Sequence, residues 1–233
     1  MTQDGIAAIV QARMGSARLP GKVMMPLAGK PMLTRLIERL RRSAKIDELM
    51  IATSDQPADD VVADLADSMG VGCVRGDETD VLARFVVAAR KTGCKTIIRL
   101  TADNPFVDGE LLDFLIAAYI ANSPLADYAN NIEGTAFPYG LYAEIFPAEV
   151  LEVAAMLGRS PDDREHVTHY FRTRPGEYRH QTIEAPGTFL YESLTVDTAE
   201  QYESVAALFE KHIAIDEAFT FRDLLVSPGT VEF

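Results

Sequence analysis

The sequence has no tryptophan, only two cysteines and no apolar run long enough to cross a membrane as a helix. Cys73 and Cys94 are not part of a C-x-x-C motif, which argues against a disulfide framework and against a dithiol redox site. We expect both cysteines to be buried and inert in a reducing compartment. The opening residues Met1–Asp4 lack the cationic segment of a signal peptide, so we expect a cytoplasmic protein with no membrane partner.

Basic residues are also scarce, since 22 Lys and Arg stand against 35 Asp and Glu and give a net charge of −13. A protein this acidic is not expected to bind nucleic acid. The cations are concentrated, however, because nine Lys and Arg but a single acid lie between Arg13 and Lys45. Such a basic island predicts a local anion site. The arginines within the helix predicted there are interpreted as its solvated face: Arg35, Arg39, Arg41 and Arg42.

The first half of the chain alternates short apolar runs with amphipathic segments, as repeated βαβ units do. This pattern predicts an α/β fold with three α/β/α layers around a mainly parallel sheet, formed by one domain over residues 1–233. In such a fold, ligands bind beyond the carboxyl ends of the strands. A helix is expected after Asp80, which is a good N-cap residue. The predicted strands are Ile6–Gln11, Leu49–Thr53, Val71–Val74 and Thr96–Leu100.

The second half is less regular and is predicted to contain a small irregular insertion. Residues 126–190 form a candidate subregion for substrate binding or dimerisation, and periodicity alone leaves both roles and that of a lid open. A helix is predicted over Asp163–Phe171 and a strand over Leu194–Val196. Asp197 or Thr198 then caps a last long helix.

The strongest local signal is the run Gln11–Lys22, which follows the first predicted strand directly. Gly15 and Gly21 permit close approach of the backbone to a ligand, and successive N–H groups of such a loop can form an anion nest. The run matches neither the Walker A pattern nor G-x-G-x-x-G, so the kinase and dehydrogenase hypotheses weaken. We predict a polyanion site here. Three cations suited to phosphate surround it: Arg13, Arg18 and Lys22.

The same run, continued by Pro26–Met32, resembles the N-terminal signature of the sugar nucleotidyltransferases. It is most similar to the cytidylyltransferase branch that contains the acylneuraminate and ketodeoxyoctonate enzymes, and within that branch to the spore-coat polysaccharide SpsF-like proteins. The resemblance covers nearly the whole chain, and several ordered motifs are more specific than one glycine-rich loop. The further motifs are Ala52–Asp55, Arg75–Leu82, Arg99–Pro105, Arg164–Thr168 and Thr195–Thr198.

The resemblance implies a nucleotide-diphospho-sugar transferase-like fold in which the N-terminal loop holds the triphosphate of CTP. The triphosphate contacts that it implies are Arg13, Gly15, Ser16, Arg18 and Lys22. Residues near the predicted strand ends are candidates for the rest of the nucleotide: Gln11, Ala12, Ser54, Asp55, Arg75 and Asp80. The choice of cytidine over uridine rests on the resemblance alone.

Asp103 and Asp197 each follow a predicted strand, at the edge where an open α/β sheet binds its ligands. Mg²⁺ is commonly held by one or two carboxylates together with waters and substrate phosphates. From the residues alone Asp197 is first a helix cap and Asp103 is undecided, but the resemblance assigns both to a magnesium site. It also implies that a sugar hydroxyl attacks the α-phosphorus and pyrophosphate leaves. The implied catalytic residues are Lys22, Arg18, Asp103 and Asp197.

The sugar site is where this sequence departs from its relatives. SpsF-like sequences commonly carry Arg-Gly-Leu-Asp-x-Glu in the central region, whereas this chain has tyrosines at the first and fourth of these positions. The loss of a cation there weakens the case for a carboxylate-bearing or phosphorylated sugar, although tyrosine faces also pack on sugar rings. The predicted acceptor residues are Tyr139, Tyr142, Glu144, Glu165 and His166.

The leading hypothesis is a CTP-dependent cytidylyltransferase that makes a CMP-sugar for surface polysaccharide or glycan assembly. One alternative is a UTP- or dTTP-dependent sugar-1-phosphate nucleotidyltransferase, which nucleotide preference would distinguish. The other is a non-catalytic nucleotide-binding homologue, against which the retained Asp103 and Asp197 argue. Family habit also makes a homodimer through the segment Tyr128–Phe146 a candidate assembly.

Overall fold

The computed structural model describes residues 5–122, 124–132 and 134–226. Its strands are β1 (Ile6–Gln11), β2 (Pro26–Leu27), β3 (Lys30–Pro31), β4 (Glu48–Ser54), β5 (Gly72–Gly76), β6 (Thr96–Thr101), β7 (Tyr128–Asn130), β8 (Glu144–Pro147) and β9 (His180–Thr182). Its α-helices are α1 (Met32–Leu40), α2 (Asp60–Ser68), α3 (Val81–Thr92), α4 (Gly109–Ala121), α5 (Ala148–Leu157), α6 (Pro161–Glu165), α7 (His169–Arg172) and α8 (Ala199–Ile215).

Seven of these strands form one sheet in the order β5-β4-β1-β6-β8-β7-β9. The first four are mutually parallel, β8 runs antiparallel to both of its neighbours, and β9 is parallel to β7. Strands from the 126–190 segment therefore extend the same sheet on one side. The short strands β2 and β3 pair separately.

Alternation along β1 shows why helices cover both faces of the sheet. Ala7 and Ile9 belong to one apolar core with residues of α3 and α5, whereas Ala8 and Val10 belong to the other with residues of α1, α2 and α4. A nearly continuous apolar run is what a parallel strand buried on both faces requires. The prediction of a mainly parallel sheet between two helical layers is confirmed.

The first four strands of the sheet end at one common edge. Their last residues are Gln11, Ser54, Gly76 and Thr101. Because parallel strands expose their carboxyl ends together, the loops that follow them meet above this edge. The functional site is therefore expected there.

Two arginines of α1 contradict the prediction of a solvated face. Arg39 is buried, donates to the carbonyl oxygens of Phe106 and Phe219 at 3.0 and 2.9 Å, and pairs with Asp108 at 3.1 Å. Burial lowers the pKa of Arg39 to about 10. The physical reason is that two irregular segments cover this side of α1, and their carbonyls need donors. Arg35 is likewise buried and donates to backbone carbonyls, whereas Arg41 and Arg42 are exposed as expected.

The predicted helix over 163–171 is divided in the structure. Helix α6 ends at Glu165 and α7 begins at His169, because the backbone turns at Val167, whose φ is +27°. The Val167 side chain is fully buried at this turn. Burial of one apolar side chain therefore interrupts a segment that local propensity favours as a single helix.

The prediction of a strand over 194–196 is also wrong. The backbone of this segment forms hydrogen bonds with two separate parts of the chain. Its backbone donates from Leu194 to the carbonyl of Tyr139 and from Val196 to that of Asp103, instead of forming a ladder with one strand. Thr198 caps α8 in a reciprocal capping box with Gln201. This arrangement leaves the Asp197 carboxylate available for other partners.

Both cysteines are free thiols, with Cys94 buried and Cys73 partly exposed. Burial raises the pKa of each thiol, which keeps both in the unreactive protonated form. Within the part of the chain that the structure describes, no helix is long and apolar enough to span a bilayer.

Candidate active site

The loop after β1 is closed by its own backbone. The Gly21 N–H donates to the carbonyl of Met14 at 2.8 Å, and Gly21 has a φ of +75°, which a residue without Cβ adopts at little cost. The Ser16 hydroxyl accepts the Leu19 N–H at 3.3 Å. A short 3₁₀ turn then begins at Lys22 and buries that side chain beneath the loop.

Lys22 joins three parts of the chain at the carboxyl edge of the sheet. Its ammonium donates to Asp103 Oδ2 at 2.9 Å, to Asp197 Oδ1 at 2.9 Å and to the Val196 carbonyl at 2.7 Å. An ammonium has three N–H donors, so these contacts use all of them. The lysine therefore has a fixed position and balances two carboxylates that would otherwise repel each other.

The remaining carboxylate oxygens of this pair have partners as well. Thr101 donates its hydroxyl to Asp103 Oδ1 at 2.6 Å, and Arg18 contacts Asp197 Oδ2 at 2.8 Å. Burial acts to raise the pKa of Asp197, but Lys22 and Arg18 outweigh it and hold that pKa below the ordinary value. Asp197 is therefore ionised at neutral pH.

The aspartate pair suits a hard divalent cation. Among the described residues, no group of three or more His, Cys, Asp or Glu side chains is placed to hold a metal. Mg²⁺ does not need such a group, because one or two carboxylates with waters and substrate phosphates are sufficient. The Arg18 side chain is 65% exposed, so its contact with Asp197 Oδ2 is open to solvent.

The structure brings several of the predicted nucleotide residues together with this pair. Gln11, Arg13, Lys22 and Asp103 line one cavity of about 140 Å³. Ala12 is buried, and its N–H donates to the carbonyl of Ala52. The Ala12 N–H is therefore engaged with β4.

Gly15 lies exposed beside the carboxylate of Glu78. A Cβ at this position would lie 2.9 Å from Glu78 Oε1, which is the end of a flexible and partly exposed side chain. Arg13 lies 3.8 Å from the same carboxylate oxygen. The turn after β5 and the cationic loop are thus neighbours.

Four predicted nucleotide residues have structural partners of their own. Ser54 is buried and donates its hydroxyl to Asp59, and the exposed Asp55 donates its N–H to the carbonyl of Gly76. Arg75 contacts Asp60 at 2.7 Å and two backbone carbonyls. The side chain of Asp80 accepts the Ala83 N–H at 2.9 Å and pairs with Arg164, which confirms it as the cap of α3.

Two further cavities continue from the one at Asp103 towards the 126–190 segment. A small one of about 100 Å³ shares Thr101 with the cavity at Asp103 and includes Tyr142. A larger one of about 360 Å³ shares Arg99 and Glu144 with the small one and extends to His166. Three of the predicted acceptor residues therefore line these connected cavities: Tyr142, Glu144 and His166.

Glu144 lines both of these cavities and is fixed by several partners. It is buried, forms an ion pair with Arg99, and accepts hydroxyl hydrogen bonds from Tyr128 at 2.6 Å and Thr168 at 2.7 Å. Burial acts to raise the pKa of Glu144, but Arg99 and the two hydroxyls hold it below the ordinary value. Arg99 also donates to Gln11 Oε1 at 3.3 Å, which connects the two halves of the site.

The other two predicted acceptor residues lie at the rim. Tyr139 is 64% exposed and packs edge-to-face on Tyr142 with ring centroids 5.5 Å apart. Glu165 is exposed, and among the described residues it lines neither of the two further cavities. Tyr142 and His166 therefore line these cavities, whereas Glu165 does not.

Residues that the sequence analysis did not single out complete the site. Arg99 and Thr101 interrupt the apolar pattern of β6, and polar residues in a buried strand are a sequence feature from which a site could have been predicted. Thr168 ends the motif Arg164–Thr168 but received no role of its own, and Tyr128 lies in a segment with no local pattern that would separate it from ordinary core residues. Only the fold brings them to Glu144.

Gly140 joins the tyrosine pair to the segment that carries Asp197. Its φ is +99°, and a Cβ would lie 2.5 Å from the backbone of Leu194 and of Thr195. We expect Gly140→Ala to lower the free energy of unfolding by at least about 2 kcal/mol, as backbone strain and a clash with fixed atoms require. Urea unfolding measures this. Gly176→Ala is the control, because a Cβ there meets nothing within 4 Å, and equal stability of the two variants would refute the expectation.

A cationic loop after the first strand of a mainly parallel sheet, facing two lysine-bridged aspartates, defines the class of nucleotidyltransferases. Residues 7–220 match the cytidylyltransferase family model, and the chain belongs to the cytidylyltransferase family. The expected family and enzyme class are thereby confirmed.

The relatives agree with this assignment. The chain is 42% identical over 215 residues to the spore coat polysaccharide biosynthesis protein SpsF of Bacillus subtilis, covering 89% of this chain and 88% of SpsF. It is 27% identical to a 3-deoxy-manno-octulosonate cytidylyltransferase of Anaeromyxobacter dehalogenans, covering 91% and 81%. The solved structure of a cytidylyltransferase from Leptospira borgpetersenii is similar with a TM-score of 0.84 and 29% identity, covering 95% and 92%.

Proposed function

We propose that this protein transfers CMP from CTP to a hydroxyl group of a sugar and releases pyrophosphate, with Mg²⁺ as cofactor. The observation that carries the proposal is the Lys22 ammonium between Asp103 and Asp197, directly below the cationic loop. A polyphosphate bound at that loop would have its α-phosphate near the two carboxylates. This is the arrangement that nucleotidyl transfer requires.

The chemistry is an in-line displacement at the α-phosphorus. A sugar oxygen forms the new P–O bond while the bond to the bridging oxygen of pyrophosphate breaks, and the hydroxyl proton is released to solvent water. Mg²⁺, when bound by Asp103 and Asp197, would supply positive charge to the α-phosphate and the attacking hydroxyl. Arg13, Arg18 and Lys22 would neutralise the departing pyrophosphate.

The acceptor sugar would occupy the cavities between Asp103 and His166. Tyr142 offers an aromatic face beside the catalytic pair, and Glu144 fixes the wall through Arg99. The name of the SpsF relative suggests a role for the product in polysaccharide synthesis at a cell surface. The nucleotide is proposed as CTP on the strength of family membership and of the 3-deoxy-manno-octulosonate cytidylyltransferase relative.

Thermal unfolding with each of CTP, UTP, GTP and ATP, with and without Mg²⁺, tests this proposal. CTP with Mg²⁺ at about 100 times its dissociation constant should add roughly 2.7 kcal/mol of stability, seen as a raised melting temperature. The shift should shrink in Asp103→Ala and in Lys22→Ala, because these variants lose parts of the phosphate and metal site.

Two outcomes would count against the proposal. A shift selective for UTP would favour a sugar-1-phosphate nucleotidyltransferase. No shift with any nucleotide would remove the assignment of the loop to phosphate. A CTP-selective shift justifies a screen of sugar acceptors by pyrophosphate release.

A further inference from the structure

A buried carboxylate outside the predicted site contacts the phosphate loop. Asp59 ends the 3₁₀ turn Pro57–Asp59 between β4 and α2, and only 2% of its surface is exposed. A charged side chain is seldom buried without a compensating partner, because desolvation of the charge is costly. The hydrogen-bond partners of Asp59 therefore indicate the role of its carboxylate.

Asp59 holds the loop by its backbone. Asp59 Oδ1 accepts the N–H of Met14 at 2.6 Å, and Oδ2 accepts the hydroxyl of Ser54 at the end of β4. The carbonyl of the same Met14 accepts the N–H of Gly21, which closes the loop. Met14 is thus fixed through both its N–H and its carbonyl, and Arg13 and Gly15 lie on either side of it.

A second buried charge lies close to Asp59. Arg84 of α3 is 1% exposed, and it donates from Nη1 to the carbonyl of Asp77 at 3.2 Å. Among the described residues, its Nε and Nη2 have no hydrogen-bond partner. Burial and the neighbouring Arg13 lower the pKa of Arg84, while Asp59 and Glu78 oppose this. The Asp59 charge therefore offsets part of the repulsion between two cations near the loop.

We propose that Asp59 is a positioning residue of the nucleotide site, which acts through the Met14 N–H to hold the loop open for the polyphosphate of the nucleotide. This inference rests on the proposed function, because it takes the loop to be the phosphate site. Asp59 does not touch the substrate. Its effect is to fix the backbone that does, so that less conformational freedom is lost when the polyphosphate binds.

The test compares two ligands that share a base but differ in phosphates. Isothermal titration calorimetry with CTP and with CMP, both with Mg²⁺, is done on the whole protein. Asp59→Ala should weaken CTP binding by at least about tenfold, the effect of one lost buried hydrogen bond, and CMP binding by less than about twofold. Asp59→Asn should restore CTP binding to within about threefold, because its amide oxygen accepts from Met14 and its NH₂ donates to Ser54.

Asp113→Ala is the matched control. Asp113 of α4 also accepts a serine hydroxyl and a backbone N–H, from Ser43 at 2.5 Å and Ala44 at 3.0 Å. These donors lie in the loop before β4, at the opposite edge of the sheet from the phosphate loop. This variant should leave the ratio of CTP to CMP affinity unchanged. A general loss of stability in Asp59→Ala would weaken both ligands alike and is distinguished by urea unfolding.

The outcomes separate this inference from the function on which it rests. If the wild-type protein binds no CTP, the proposed function fails. If the wild-type protein binds CTP and Asp59→Ala keeps the wild-type ratio of CTP to CMP affinity, the positioning role is overturned. If Asp59→Asn is as weak as Asp59→Ala, the hydrogen bond to Met14 is not the cause, and the role is likewise overturned.

Discussion

Replacement of Lys22 by alanine is expected to lower kcat/KM for nucleotide transfer by about 10²- to 10³-fold, the usual loss when one positioned charge is removed from a transition state. The ammonium contacts both Asp103 and Asp197, so its removal also leaves two carboxylates without the cation between them. Pyrophosphate release from CTP, with an acceptor found by screening, measures the rate.

Lys30→Ala is the control for that variant. Lys30 belongs to the same basic stretch, but it is partly exposed and pairs with Glu38 on the surface. We expect its rate to stay within about twofold of the wild-type rate, because surface ion pairs contribute little. A Lys22→Ala protein that folds, as checked by circular dichroism, and retains the wild-type rate would remove Lys22 from the catalytic site.

Replacement of Arg39 by alanine should cost about 3 to 5 kcal/mol of stability, because it leaves the buried Asp108 without its counter-charge. It also removes the donors to the Phe106 and Phe219 carbonyls. Such a loss is a large part of the stability of an ordinary domain, which is about 5 to 15 kcal/mol. The midpoint of urea unfolding should fall accordingly.

Arg41→Ala serves as its comparison, since Arg41 follows the same helix but is exposed. Its effect should stay within about 0.5 kcal/mol. The double variant Arg39→Met with Asp108→Asn should recover part of the loss, because removal of both charges avoids an unpaired one. A loss below about 1 kcal/mol for Arg39→Ala would show that the buried pair does not stabilise the fold.

The parallel half of the fold is predictable because its strands are defined locally. In β1 the apolar run is nearly continuous, and β6 has the shorter apolar runs Ile97–Ile98 and Leu100; both faces of the sheet are covered, so pattern and burial agree. The loop after β1 is predictable for a similar reason, since its glycines and cations lie within one short run. Asp103 follows β6 directly and was found by the same rule.

The contacts that escaped prediction join distant segments of the chain. Arg39 looks solvated in α1 until residues near Phe219 return to cover it. Arg99 and Glu144 face each other only because β8 runs antiparallel beside β6, and no local pattern announces that register. Asp197 and Thr198 are equally good caps in sequence, but in the structure Thr198 caps the helix and Asp197 contacts the ammonium of Lys22.

Lys22 and its three contact partners are synthesised at different times, because they lie far apart in the chain. Lys22 and Asp103 are synthesised first. Val196 and Asp197 follow roughly 90 residues after Asp103, which takes about 5 to 20 seconds at ordinary rates of translation. During that interval the nascent chain contains the loop and one aspartate but not the second. A chain released before residue 197 is made would therefore contain the loop and Asp103 but lack the second carboxylate that Lys22 contacts.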